Sequence, residues 1–118
     1  MQHMRSYNEL DAYKRASALF PKIYRLVRSW KPLDQRELGS QMIRAANSIH
    51  ANVAEGFGKT VPDFKRYLGT AIGSCDELRS HIVDARNIDL IDQKSAEMLL
   101  REYDIVGKQL MRLKQNWH

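Results

Sequence analysis

The sequence has few of the residues that mark small non-helical folds. Its 118 residues include one cysteine, three prolines and six glycines. A single cysteine excludes an internal disulfide, and so few glycines and prolines leave little room for strands joined by turns. No apolar run approaches the roughly 20 residues of a membrane span, and the N-terminus lacks the apolar core of a signal peptide. We therefore expect one cytoplasmic domain over residues 1–118, with no membrane association.

Motifs that hold cofactors or metals are also missing. Gly56-Phe57-Gly58-Lys59 looks like part of a phosphate loop, but it lacks the preceding strand and the full spacing, which favours a helix end. The chain has no Glu-x-x-His motif of the di-iron bundles, and its histidines are scattered: His3, His50, His81 and His118. Cys75 lies within an apolar helical pattern, which predicts a buried, reduced thiol. We expect no cofactor, no metal and no enzymatic activity.

Four helical patterns fill the chain. We predict helices from residue 8 to 30, from 33 to 55, from the cap Thr60 to 86, and from the cap Asp92 to 115. Ser6 or Asn8 is the expected cap of the first helix. Short connections between long helices predict an all-α fold, an antiparallel up-down-up-down four-helix bundle.

Apolar residues recur at helical spacing and define the expected core. On the third helix, Gly69 and Gly73 are four residues apart, which predicts a close backbone contact there. The core stripes of the first, third and fourth helices are, respectively, Tyr13, Ala16, Phe20, Ile23, Tyr24, Val27 and Trp30; Phe64, Tyr67, Leu68, Ala71, Cys75, Leu78, Ile82 and Ala85; and Leu99, Tyr103, Val106, Leu110 and Leu113.

The second helix carries a polar stripe beside its apolar one. Its members, at spacings of three and four, are Gln41, Arg44, Ser48, Asn52 and Glu55. The third helix carries a matching set, Ser74, Glu77 and His81. Short polar side chains next to a core favour a partly buried hydrogen-bond network that fixes helix register, with an Arg44–Glu77 ion pair. The alternatives are a seam between subunits and a small-molecule or catalytic pocket.

The segments SIHANVAEGFGK and FKRYLGTAIGSCDEL resemble the proteins named after 23S ribosomal RNA intervening sequences. The opening segment ELDAYKRASALFPKIYRL is also similar to that family. The residues that carry the resemblance are Gln41, Arg44, Ala45, Ser48, Ile49, Asn52, Ala54, Glu55, Gly56, Phe64, Leu68, Ala71, Gly73, Ser74 and Glu77. Asn47 and His50 depart from the pattern, since the family often has an apolar residue and a proline at those positions.

This resemblance implies a four-helix up-and-down bundle, often assembled as a ring-like homopentamer. It also implies possible partners. Relatives include the accessory proteins of diversity-generating retroelements, which bind a reverse transcriptase and nucleic acid.

The basic residues of the first helix are the strongest functional lead. The net charge is +5, and residues 1–32 hold seven Lys and Arg residues against two acids. Lys14, Arg15, Lys22, Arg25 and Arg28 fall on one arc of roughly 140°. Lys59, Lys65 and Arg66 add charge near one end of the bundle. Such a face suits electrostatic contact with phosphates, although it also suits simple solubility.

The leading hypothesis is therefore a non-catalytic, oligomeric adaptor that binds nucleic acid, RNA above all. One alternative is a protein-interaction scaffold, for example an accessory subunit of a reverse transcriptase. Another is an enzyme or ligand carrier that uses the polar stripe.

Overall fold

The computed structural model describes residues 6–118 and contains four long helices. Helix α1 is Asp11–Arg28, preceded by a 3-10 turn, Tyr7–Glu9. Helix α2 is continuous over residues 32–56 and consists of Pro32–Asp34, a π-helical segment Gln35–Gly39, and Ser40–Gly56. Helix α3 is Val61–Asn87 and helix α4 is Gln93–Asn116. Residues 6–118 contain no strand, which confirms the all-α prediction.

The four helices share one core. Each helix packs against the next one along the chain, and α1 also contacts α4. The α2–α3 pair has the most extensive contact of these four pairs, and the α1–α4 pair has the sparsest. Apolar side chains from all four helices form one buried cluster. The fold is consistent with a four-helix bundle, with extents of 44 × 23 × 19 Å.

Helix α1 begins differently from the sequence prediction. The residue at its N-cap position is Leu10, which makes no side-chain cap hydrogen bond. Asn8 lies in the preceding 3-10 turn and Ser6 caps nothing with its side chain, so the predicted cap is wrong. Leu10 is only 2% exposed, so burial rather than capping fixes where this helix starts. The helix also continues through Pro21, which has no N–H to bond with the preceding turn.

The junction between α1 and α2 is held by one glutamine side chain. Gln35 Nε2 donates to the carbonyls of Arg28 and Trp30, both at 3.0 Å. These carbonyls lie at the end of α1, where no helical N–H remains to bond them. The π-helical segment that contains Gln35 ends at Gly39, where a Cβ would overlap Val27. Helical periodicity alone did not predict this segment.

The two remaining connections match the predicted caps. Thr60 Oγ1 accepts a hydrogen bond from the Asp63 N–H at 3.3 Å, after Gly58 has turned the chain with φ +87°. Asp92 accepts from the Ser95 N–H at 2.8 Å and from its hydroxyl at 2.9 Å. Those hydrogen bonds lower the pKa of Asp92. Both predicted caps, Thr60 and Asp92, are confirmed.

The predicted core stripes are largely confirmed. The buried members are Ala16, Ile23 and Val27 on α1, with Trp30 just after it; Phe64, Leu68, Ala71, Cys75, Leu78, Ile82 and Ala85 on α3; and Leu99, Tyr103, Val106 and Leu110 on α4. Tyr24 is the main exception, because 43% of its surface is exposed. Its position at the edge of the α1 stripe leaves it beside the core rather than in it.

The close backbone contact predicted at Gly69 and Gly73 is wrong. A Cβ at Gly73 would meet nothing within 4 Å, and one at Gly69 would meet only the end of the Lys114 side chain at 3.4 Å. The close approach lies instead at the end of α2, where a Cβ at Gly56 would be 2.6 Å from the Tyr67 Cβ.

Aromatic side chains bind the ends of the helices together. Trp30, just after α1, donates its Nε1–H to the Leu90 carbonyl between α3 and α4 at 3.2 Å. Trp117, just after α4, packs against Phe64 with ring centroids 4.9 Å apart and against Phe57 at 6.0 Å. Both tryptophans are more than nine-tenths buried, so each also contributes to the core.

Candidate functional site

The five basic residues predicted as a contact surface all lie on α1, but their surroundings differ. Lys14, Lys22, Arg25 and Arg28 are exposed, and Arg15 is half-buried. We call these five residues the α1 basic face. Lys14, Arg15 and Lys22 lie beside α4, whereas Arg28 lies beside the ring of Tyr24.

Arg15 forms an ion pair with Glu102. Its Nη1 lies 2.7 Å from Oε1 of Glu102 on α4, and both side chains are about one-third exposed. The pair joins residues 87 positions apart in the chain, across the sparsest of the helix contacts. At this exposure such a pair stabilises the fold by about 1 kcal/mol at most. Its larger effect is to neutralise one charge of the α1 basic face.

An open groove of about 600 Å³ runs between α1 and α4. Its lining residues are Asp11, Lys14, Arg15, Ala18, Leu19, Lys22, Glu102 and Gln109. A second hollow of about 350 Å³ continues from it and shares Asp11 and Gln109. We call the two together the α1–α4 groove. Its lining is mixed, because charged and amide side chains dominate the first hollow whereas Leu10 and Leu113 line the second. Gln109 Oε1 and Arg15 Nε are buried there without a hydrogen-bond partner in the described part of the chain.

Arg28 belongs to a different neighbourhood. Its guanidinium carbon lies 5.8 Å from the centroid of the Tyr24 ring, and Tyr24 in turn lies 6.2 Å from the Phe20 ring. A cation over an aromatic face is held by the ring quadrupole. The α1 basic face therefore ends in a cation resting on an exposed tyrosine.

A second basic cluster surrounds Tyr67 at the start of α3. Arg66 lies 4.9 Å from the ring centroid and Lys59 lies 5.7 Å from it. Arg66 also approaches the Asp63 carboxylate at 3.6 Å. The sequence predicted positive charge near this end of the bundle, but it did not predict the contacts of Lys59 and Arg66 with the Tyr67 ring.

The predicted polar network is only partly assembled. Ser48 and Ser74 share a hydrogen bond of 2.8 Å between α2 and α3, and Asn52 Nδ2 donates to the Ser48 hydroxyl at 2.9 Å and to its carbonyl at 2.7 Å. All three side chains are half-buried. The sequence predicted that these three residues belong to one partly buried hydrogen-bond network, and that this network sets the helix register stays a prediction.

The other members of the predicted network are exposed and lie apart from it. No ion pair joins Arg44 to Glu77 within residues 6–118, so that prediction is wrong. Glu77 Oε2 lies instead 3.1 Å from His81 Nε2 on its own helix. Gln41 donates to the Glu37 carbonyl at 2.8 Å, and Glu55 is exposed at the end of α2. Gln41 and Glu77 thus bond within their own helices, whereas the hydroxyls of Ser48 and Ser74 join two helices.

His50 occupies an aromatic pocket that the sequence did not reveal. Its ring lies edge-on to Tyr13 at 5.8 Å and to Phe20 at 5.7 Å. Tyr13 also packs against Tyr7 at 4.9 Å. Burial lowers the pKa of His50, although a backbone contact with Ala46 works in the opposite direction. The helical spacing of Tyr13 and Phe20 was visible in the sequence, but their meeting with His50 depends on α1–α2 packing.

The buried groups of the core offer no reactive centre. Cys75 is 1% exposed, and its Sγ donates to the Tyr103 carbonyl at 3.1 Å. Burial, reinforced by the nearby Asp76 carboxylate, raises the pKa of the Cys75 thiol to about 11. A thiol with such a pKa carries almost no thiolate at neutral pH, which is the form that reacts. The predicted buried thiol is confirmed.

No metal or membrane site is evident in the part of the chain that the structure describes. Within residues 6–118, no three His, Cys, Asp or Glu side chains come together as a ligand set. His3 lies outside the described residues. None of the helices described is long and apolar enough to cross a membrane.

Comparison with known proteins gives a family and a fold. Residues 8–112 match the family model described as 23S rRNA-intervening sequence protein. A crystal structure from Bacteroides thetaiotaomicron, described as a protein with unknown function from the S23 ribosomal protein family, superposes with a TM-score of 0.82. It is 18% identical in sequence, and the match covers 89% of this chain and 96% of the other. None of the curated proteins compared with the sequence matches it significantly.

Proposed function

Since the chain belongs to the 23S rRNA-intervening sequence protein family, we propose that it is a non-catalytic, oligomeric adaptor that binds nucleic acid, RNA above all, through the α1 basic face. The observation that supports this proposal is the surface of α1. Four of its five predicted contact residues are exposed, and none of those four forms an ion pair within residues 6–118. Exposed cations on a rigid helix bind phosphates electrostatically and without reading sequence.

The proposal includes an antiparallel up-down-up-down arrangement of the helices. The contacts at the ends of the bundle support it. The end of α1 meets the α3–α4 connection through Trp30 and Leu90, and the end of α4 meets the α2–α3 connection through Trp117 and Phe57. The end of α1 and the α3–α4 connection would then lie at one end of the bundle, and the end of α4 and the α2–α3 connection at the other. Antiparallel neighbouring helices produce this arrangement.

The proposal also includes self-association, as the homopentamer that the family resemblance implies. A ring of identical subunits would repeat the α1 basic face around one assembly. Five copies of a +5 chain carry a charge of about +25, which gives a strong field for a polyanion. Light scattering of the purified protein measures the subunit number.

An RNA titration at several salt concentrations tests the proposed binding. Affinity for a structured RNA should fall steeply from 50 to about 200 mM salt, because binding releases counterions from the phosphates. Reversing the charge at Lys14, Lys22 and Arg25 should abolish binding. The matched control reverses three exposed cations elsewhere, Arg36, Lys94 and Arg101, and so changes the net charge equally. Equal losses in both variants, or no binding by the natural chain at low salt, would overturn the proposal.

A second candidate function is a protein-interaction scaffold, with a reverse transcriptase as one possible partner. The observation that favours it is the exposure of two large apolar residues, Leu33 and Ile88, each 58% exposed near the ends of α2 and α3. A contiguous apolar patch in water often marks a protein-facing surface, so the scaffold function requires Leu33 and Ile88 to belong to one such patch. Capture experiments with and without nuclease separate the two functions, because a direct protein partner is retained after the nucleic acid has been digested.

A further inference from the structure

We propose that nucleic-acid phosphates enter the α1–α4 groove, where Lys14 and Lys22 contact them and the Arg15–Glu102 pair withholds a third cation. This inference rests on the proposed function and makes it specific. Within the α1 basic face, Lys14 and Lys22 then contact phosphates, whereas Arg15 is held by Glu102 and does not. The nucleic acid then binds between α1 and α4 rather than on the most exposed side of α1.

The groove exists because small and polar side chains line it. Ala18, an exposed residue of α1, leaves a gap that a longer side chain would fill. The α1–α4 contact is also the sparsest of the four between neighbouring helices. The resulting opening of about 600 Å³ is large enough for part of a nucleotide chain.

The charges in the groove do not cancel evenly. Glu102 is neutralised by Arg15 at 2.7 Å. Lys14 and Lys22 have no acidic partner at ion-pair distance among residues 6–118, and both line the groove. Asp11 is the remaining acid, at the N-terminal end of α1. Arg112, an exposed residue that lines the second hollow, adds a further cation. The groove therefore keeps a surplus of positive charge, with Lys14 and Lys22 as its unpaired cations on α1.

The lining of the groove favours a phosphate chain over an apolar protein helix. Leu19 is the one large apolar residue of its main opening, and it is 4% exposed. Apart from Ala18, the rest of that opening carries charged or amide side chains, and the larger apolar residues Leu10 and Leu113 lie in the second hollow. A helix that docks through an apolar stripe would have to desolvate the charged and amide groups without satisfying them. Phosphates keep much of their hydration and accept bonds from cations.

The spacing of the two lysines also suits a polyanion. Eight residues of helix separate Lys14 from Lys22, which is about 12 Å along the axis. Each strand of a double helix carries one phosphate per ~3.4 Å of axis, so about three or four phosphates of such a strand span that length. Two cations at the ends of such a stretch can be engaged by one continuous strand.

The first test compares two double variants by fluorescence anisotropy, with a labelled 20-nucleotide uridine homopolymer as the probe. Each engaged phosphate contributes about 0.7 to the slope of log Kobs against log salt for a single strand. Lys14→Gln with Lys22→Gln should therefore lower the slope by about 1.4. The matched control, Lys31→Gln with Lys94→Gln, removes the same charge at exposed positions outside the groove and should leave the slope nearly unchanged.

The second test releases the withheld cation. Glu102→Gln removes the partner of Arg15 and should raise affinity, with a slope steeper by about 0.7. Ala18→Trp should fill the groove at constant net charge and weaken binding at least fivefold, with circular dichroism confirming that the helices are retained. Both variants can be made in the full chain.

The outcomes separate this inference from the proposed function. If charge reversal on α1 abolishes binding while the Lys14 and Lys22 double variant behaves like its control, the groove is not the site, and nucleic-acid binding stands. If Ala18→Trp binds as tightly as the natural chain, the groove assignment is overturned in the same way. If the natural chain does not bind the probe at low salt, both proposals fail.

Discussion

Gly56 lies so close to Tyr67 that a Cβ on the glycine would be 2.6 Å from the Cβ of the tyrosine. This is where α2 ends and α3 passes beside it. Backbone conformation does not demand glycine here, since the positive φ of this turn belongs to Gly58. The requirement is space, and it is set by the packing of one helix against the next.

Gly56→Ala is therefore expected to destabilise the protein by about 1–3 kcal/mol, the usual cost of forcing an extra methyl group into a packed site. Urea unfolding followed by circular dichroism measures this change. Gly73→Ala is the matched control, because a Cβ there meets nothing within 4 Å. Because alanine favours the helix interior more than glycine does, this substitution should stabilise the protein by about 0.5–1 kcal/mol. If Gly73→Ala lost stability, another chain would have to be in contact with that position.

The hydroxyls of Ser48 and Ser74 should be energetically coupled. Replacing either one by alanine leaves the other, or Asn52, without its partner, which should cost about 1 kcal/mol. The double variant should lose less than the sum of the two single ones, with a coupling of about 0.5–1 kcal/mol in a double-mutant cycle. Additive losses would show that the hydrogen bond does not help to set the register of α2 and α3. A matched cycle with Arg44 and Glu77, which do not pair, should show no coupling.

The features that the sequence predicted correctly are local ones. The caps Thr60 and Asp92 each bond an N–H three residues away, so a short window contains both partners. The buried stripes of α3 and α4 follow from helical spacing alone. Ser48 and Ser74 are the exception, because they lie on different helices and were predicted to lie near each other from antiparallel packing of those two helices.

The features that it missed depend on contacts between distant segments. Arg15 and Glu102 meet across 87 residues, and several acids were equally available to the arginine by sequence. Arg44 and Glu77 have long, exposed side chains, so a small change of register is enough to separate them. The aromatic pocket of His50 and the groove at Ala18 likewise arise only when α1 packs between α2 and α4.

Stability should depend on pH through His50. Burial lowers the pKa of this residue in the folded protein relative to the unfolded chain, where it is near 6.5. The unfolded state then binds the proton more readily, so the free energy of unfolding should fall as the pH drops below about 6.5. Urea unfolding at pH 7 and pH 5 measures the difference, and His50→Gln should reduce it.

His81 provides the control for that experiment. It is a half-buried residue of α3 that pairs with Glu77 and makes no contact with the aromatic rings around His50. His81→Gln should therefore keep the loss of stability on acidification that His50 causes. An unchanged pH dependence in the His50→Gln variant would show that acidification acts through other groups.

Removing the Tyr103 hydroxyl should not weaken the protein. Tyr103 is fully buried, and its Oη has no hydrogen-bond partner within the described part of the chain. Burial raises the pKa of this hydroxyl, while the hydrogen bond from Cys75 goes to the Tyr103 backbone carbonyl instead. An unpaired buried hydroxyl costs about 1–3 kcal/mol, so Tyr103→Phe should be neutral or should stabilise by about 1 kcal/mol in urea unfolding. Tyr24→Phe, at a ring that is 43% exposed, is the control and should change stability by less than about 0.5 kcal/mol. A loss above 1 kcal/mol in Tyr103→Phe alone would mean that the hydroxyl is bonded to a water inside the bundle, and that the core is less dry than its apolar lining implies.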